Sequence, residues 1–84
     1  MSAVTVFTTG PSCQMCRVTK VHMAKRGIDF EEVRLDEHPG LAEKVRELGF
    51  TTVPVVLVDD EDVWGGYSSD RIDALAAEIA ATAA

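Results

Sequence analysis

Ser12-Cys13-Gln14-Met15-Cys16 holds both cysteines of the chain. Before it stands Val4-Thr5-Val6-Phe7, rich in strand formers, and after it comes a segment of helical spacing that stops at Gly27. Two thiols three residues apart at a strand-to-helix junction read as a dithiol/disulfide couple. With Cys13 at the helix start and Cys16 one turn in, their Cβ atoms lie about 5–6 Å apart on one face. A disulfide prefers a Cα separation of about 5.5–6 Å, so modest adjustment closes it. Free amides of the first turn and the helix dipole point at Cys13 and favour its thiolate. Lowering a thiol pKa from about 8.5 to about 7 takes roughly 2 kcal/mol, the upper end of what a helix terminus supplies. A hydrogen bond from the Cys16 thiol would cover any remainder. On this reading Cys13 attacks a partner's disulfide and Cys16 resolves the mixed disulfide.

Other readings of the pair fit less well. A structural zinc site needs four ligands, and only His22 and His38 could join the cysteines, neither at a finger spacing. A purely structural disulfide would staple one helical turn, a loop with little chain entropy to remove. Inert burial suits Cys16 but not Cys13, which follows the turn residues Pro11 and Ser12.

The rest of the chain sets bounds. Its 84 residues suffice for one domain, residues 1–84, with a single core. A net charge of −6 argues against nucleic acid or an anionic membrane as a partner. The charge is uneven: residues 1–34 are net +2 and residues 35–84 are net −8. The basic end reads as solvated charge or as a docking surface. Met1-Ser2-Ala3 lacks the features of a signal peptide, and no apolar stretch is long enough to span a bilayer. The expected setting is a reducing cytoplasm, where such a pair is catalytic rather than structural, and the expected state is a monomer.

Taken in order, a helix over about Cys13 to Arg26 would bury Met15 or Cys16, Thr19 and Met23, with Val18 and Val21 contributing. His22 beside them reads as a packed or half-exposed structural residue. Gly27 then Ile28 is a helix stop with an apolar residue folding back. Ile28 to Leu35 alternates as a second strand, parallel to the first through a right-handed crossover. A second helix begins with Pro39 at its first position and packs through Leu41, Val45 and Leu48, with Gly49-Phe50 repeating the stop. His38 at its start is assigned no chemistry. Val55 to Val58 reads as a third, central strand that Pro54 opens. Asp59-Asp60-Glu61-Asp62 is a solvated turn rather than a calcium loop, and Val63-Trp64 a short fourth strand. Ser68, Ser69 or Asp70 caps a last helix that buries Ile72, Leu75, Ala76 and Ile79, with a fraying alanine-rich end. The order β-α-β-α-β-β-α implies an α/β fold, a four-stranded mixed sheet with helices on both faces.

With CxxC after the first strand, Thr52-Val53-Pro54 before the third and Gly65-Gly66 after the fourth, the chain resembles thioredoxin-fold proteins of glutaredoxin size. Within them it is most similar to the NrdH-redoxins, in Cys13-Gln14-Met15-Cys16, Thr19-Lys20, Arg26-Gly27-Ile28, Glu47-Leu48-Gly49-Phe50 and Trp64-Gly65-Gly66-Tyr67. That resemblance implies a thioredoxin/glutaredoxin fold and a dithiol electron carrier without a bound cofactor. Electrons would come from NADPH through thioredoxin reductase and pass to ribonucleotide reductase. It also implies a cis Val53-Pro54 peptide facing the cysteines, and partner contacts through Gln14, Met15, Thr52, Val53, Pro54, Trp64, Gly65, Gly66 and Tyr67. Two departures stand out: the loop Thr8 to Ser12 is longer by a residue and lacks a basic group, and Ser68 replaces an arginine. The alternative is a glutathione-dependent glutaredoxin whose Gly65-Gly66 amides receive the glutathione carboxylate.

Overall fold

A computed structural model describes residues 3–10, 13–59 and 62–82. The turns expected at Pro11-Ser12 and at Asp60-Glu61 lie outside the described residues. The elements are β1 (Val4–Thr8), α1 (Gln14–Lys25), β2 (Glu31–Arg34), a 3-10 turn (Leu35–Glu37), α2 (Pro39–Glu47), β3 (Val55–Val58), β4 (Asp62–Gly65) and α3 (Ser69–Thr82). They form one four-stranded sheet in the order β2-β1-β3-β4. β2 runs parallel to β1, while β3 is antiparallel to both β1 and β4. The four-stranded mixed sheet expected from the element order is the one observed.

Alternation along β1 sends Val4, Val6 and Thr8 to one face, and the two faces build separate cores. On the first, Val4, Val6, Val56 and Val58 pack with Met23 of α1, Ile28, Trp64, and Ile72 and Leu75 of α3. On the other, Val55 and Phe7 meet Leu35, Ala42 and Val45 of the α2 layer, with Phe50, Val53 and Val63. Helices α1 and α3 therefore cover one face and α2 the other.

The stops work as the sequence predicts. At Gly27, with φ +74°, the Ile28 amide donates to the Met23 carbonyl at 2.9 Å and turns Ile28 into the core. The Gly49 amide likewise donates to Arg46 at 2.9 Å and Phe50 folds back on α2. Ser68 caps α3, its hydroxyl accepting from the Arg71 amide at 3.4 Å. Helix α3 runs to Thr82.

Three expectations need correction. β2 is shorter than Ile28 to Leu35, because Ile28 is taken by the helix stop and Leu35 by the 3-10 turn, where Arg34 pairs with Asp36 at 2.6 Å. In α1 the buried stripe is Cys16, Thr19 and Met23, while Met15, Val18 and Val21 remain 48, 44 and 47% exposed. In α2 the inward residues are Val45 and Ala42, whereas Leu41 and Leu48 point outward. A nine-residue helix covers its face with about two turns, and Phe50 and Leu35 fill the layer beside it.

Candidate functional site

Strand register gathers several chain segments at one end of the sheet. Phe7 pairs with Val55, Val55 with Gly65, and Thr8 with Arg34. The exit of β1, which leads to Cys13, therefore lies beside the entry of β3 after Pro54 and the exit of β4 into Gly66. The Val53–Pro54 peptide is cis, as the resemblance implied. Gly66 closes this end by donating its amide to the Pro54 carbonyl at 2.7 Å.

Cys13 is the N-cap of α1, in extended conformation with φ −79° and ψ 107°. Its Sγ accepts a hydrogen bond from the Cys16 amide at 3.2 Å, so the sulfur occupies the place an N-cap oxygen usually takes. A disulfide joins Cys13 and Cys16 across a Cα separation of 5.3 Å. Cys16 is 2% exposed and Cys13 is only half-buried, so the reachable sulfur is that of Cys13. No acid stands in the first turn of α1 to oppose negative charge there. Once the disulfide opens, amide and dipole both act on the Cys13 thiolate. Gln14 and Met15 lie exposed between the sulfurs.

The other predicted site residues are distributed unequally. Thr52 and Val53 line a cleft of about 350 Å³ with Thr9, Phe50, Asp36 and Arg46, on the α2 side of the sheet end. Tyr67 lies on the opposite side against α1, where its hydroxyl is 2.8 Å from His22 Nδ1. Trp64 is not on the surface expected of a contact residue. It is 5% exposed within the first core, and the Arg71 guanidinium sits 5.6 Å from its ring centre on the outside. Although β4 is an edge strand, Trp64 points inward by strand alternation, and the covering helices α1 and α3 bury it.

The two glycines also have separate reasons. A Cβ on Gly65 would lie 2.9 Å from the Phe50 ring, so that position is shaped by packing. Gly66 has φ +80°, which a side chain rarely tolerates, and its amide is already engaged by Pro54.

Two side-chain networks escaped the sequence reading. Glu32 accepts from Lys20 of α1 at 3.0 Å and from the buried Thr8 hydroxyl at 2.8 Å. The Lys20 hydrogen bond, then that of Thr8, holds the Glu32 carboxyl below its ordinary pKa. His22 bridges Tyr67 and Asp73, with Nε2 2.9 Å from the Asp73 carboxylate. A carboxylate only accepts, so Nε2–H donates to Asp73, and in that tautomer Nδ1 accepts a hydrogen bond from the Tyr67 hydroxyl. This histidine ties α1 to the β4–α3 connection and has a structural part, as its sequence position indicated. Spacing along a strand or helix signals neither network, because each joins residues from separate elements.

The glutaredoxin family model matches residues 4–63, which include the cysteine pair and the cis proline. The chain belongs to the glutaredoxin family. This glutaredoxin-family protein is 39% identical over 72 residues to the glutaredoxin-like protein NrdH of Escherichia coli, covering 86% of each chain. It is 36% identical over 66 residues to a glutaredoxin of Pseudomonas aeruginosa, covering 77% of each. The solved structure of Escherichia coli NrdH-redoxin, a glutaredoxin-like protein with a thioredoxin-like activity profile, superposes with a TM-score of 0.82 at 37% identity. That match covers 87% of this chain and 93% of the other. This glutaredoxin-family protein is thus a thiol-disulfide oxidoreductase of the NrdH kind, with Cys13 and Cys16 at the family's redox spacing. Among the described residues, no helix is long and apolar enough to cross a membrane.

Proposed function

We propose that the protein is a dithiol electron carrier, working as one domain, reduced by thioredoxin reductase with NADPH and donating to ribonucleotide reductase. The Cys13 thiolate attacks one sulfur of the acceptor's disulfide, forming a mixed disulfide and releasing the acceptor's other sulfur as thiolate. Cys16 loses its proton and attacks Cys13 Sγ, which closes the Cys13–Cys16 disulfide and frees the second acceptor thiolate. Two electrons pass to the acceptor, and the reductase returns two from NADPH. The observation that carries this reading is the hydrogen bond from the Cys16 amide to Cys13 Sγ at 3.2 Å, beside a Cys16 sulfur shut away from solvent. Gln14, Met15, Thr52, Val53, Pro54, Gly65, Gly66 and Tyr67 frame the approach of the partner, and Trp64 supports that frame from inside. The choice of donor draws support from the likeness to an NrdH-redoxin with a thioredoxin-like activity profile. A cytoplasmic setting accords with a pair that must be kept reduced.

The likeness to the Pseudomonas aeruginosa glutaredoxin favours glutathione as a second donor to consider. Against it, the Gly66 amide is occupied by Pro54 and so is not among the donors open to a carboxylate. The test supplies NADPH with thioredoxin reductase in one assay and glutathione in another, with the same disulfide acceptor. Fast turnover is expected with the reductase, and turnover with glutathione alone would reject the proposal.

A further inference from the structure

The outward side of α1 carries an apolar stripe that the fold leaves uncovered. Met15, Val18 and Val21 are 48, 44 and 47% exposed, and Val18 and Val21 line an open groove of about 410 Å³ with Arg17 and Lys25 on it. By helical spacing this face continues from Lys25 through Val21 and Arg17 to Cys13. The stripe therefore begins at the reactive sulfur. Its charge has one sign: α1 contains no acid, and neither Arg17 nor Lys25 is ion-paired with an acid among the described residues, whereas Lys20, Arg26, Arg34 and Arg71 are. All 14 Asp and Glu of the chain lie off this helix, eleven of them in residues 35–84.

We infer that this face of α1 docks a partner segment of interleaved apolar and acidic residues beside its disulfide, a surface that selects protein acceptors of the electron-carrier reaction on which this inference rests. Apolar side chains fill the Val18–Val21 groove, and carboxylates meet Arg17 and Lys25.

The test uses the full chain, reduced and freed of reductant, in single-turnover reaction with three synthetic peptide disulfides. Their flanks are leucine with glutamate, leucine with lysine, or serine with glycine; hydroxyethyl disulfide is the small control. The leucine-glutamate peptide is expected to react about tenfold faster than the leucine-lysine peptide, as electrostatic complementarity steers the encounter. Val18→Ser/Val21→Ser is expected to remove most of the gain from leucine. Lys25→Glu, about 18 Å along the helix from Cys13 at 1.5 Å per residue, is expected to shrink the acidic preference at least threefold without changing the rate with hydroxyethyl disulfide. No acidic preference in the wild type, or a preference unchanged in both variants, overturns the inference. So does a dimer in sedimentation equilibrium that Lys25→Glu dissolves, since the occupant would then be a second copy. Failure with hydroxyethyl disulfide would instead sink the electron-carrier reading, and the docking surface with it.

Discussion

At the residue scale, the two sulfurs differ in a way that fixes what each substitution does. Cys16 is buried behind a half-exposed Cys13, and in the proposed reaction only Cys13 meets a partner. Cys16→Ser keeps the attacking thiol and its amide donor but removes the group that releases the acceptor. That variant is expected to accumulate a mixed disulfide through Cys13, read as a mass increase reversed by dithiothreitol, while Cys13→Ser forms none. An equal yield of adducts in both variants would contradict the assigned roles. Trp64 shows the opposite lesson about single residues. The resemblance implies a partner contact at this position, yet the ring fills the core under α1 and α3. The sequence shows that an aromatic stands at this position. Only the covering helices decide which side of the sheet it faces and whether that side is dry.

At the element scale, the connection from β4 to α3 is held from two sides. Gly66 bonds back to Pro54, and Tyr67 is anchored by His22 of α1. Gly65 allows the Phe50 ring, which follows α2, to lie against β4. Gly65→Ala places a methyl 2.9 Å from that ring, so the ring or strand must shift. The expected cost is about 1–3 kcal/mol of stability, seen as a lower denaturant midpoint with an unchanged slope. The cleft that Phe50 shares with Thr52 and Val53 loosens with it. A Gly65→Ala variant as stable as the wild type would show that the backbone here has slack. The glycines were legible as a pair in the sequence, but one is required by a neighbour 15 positions away and the other by its own φ.

At the scale of the whole molecule, Glu32 joins β2 to β1 through Thr8 and to α1 through Lys20. Because the folded state holds its carboxyl below the ordinary value of 4.5, the linked stability is present above that pH and is lost as pH falls through the lowered value. Glu32→Gln keeps the shape and removes the charge. With Lys20 and Glu32 side chains 33 and 35% exposed, screening limits the expected loss at neutral pH to about 0.5–1 kcal/mol. The gap between variant and wild type should close in urea titrations in acid, once pH has fallen through the lowered value and the wild-type carboxyl is also neutral. A gap that persists into acid would assign the effect to packing instead.

The chain by itself determined the cysteine pair at a strand-to-helix junction, the element order, the glycine stops after two helices and the cap of the last. These are local: spacing, turn chemistry and capping act within a few residues, so a sequence displays them. What only the tertiary structure decided is the direction of side chains whose elements have two apolar sides. Periodicity placed Thr19 and Met23 on the inner face of α1 but left Met15 or Cys16 open and added Val18 and Val21, since those residues also recur at helical spacing. The docking of α1 on the sheet beside α3 made that choice, because burial depends on which neighbour arrives and not on the pattern that invites it.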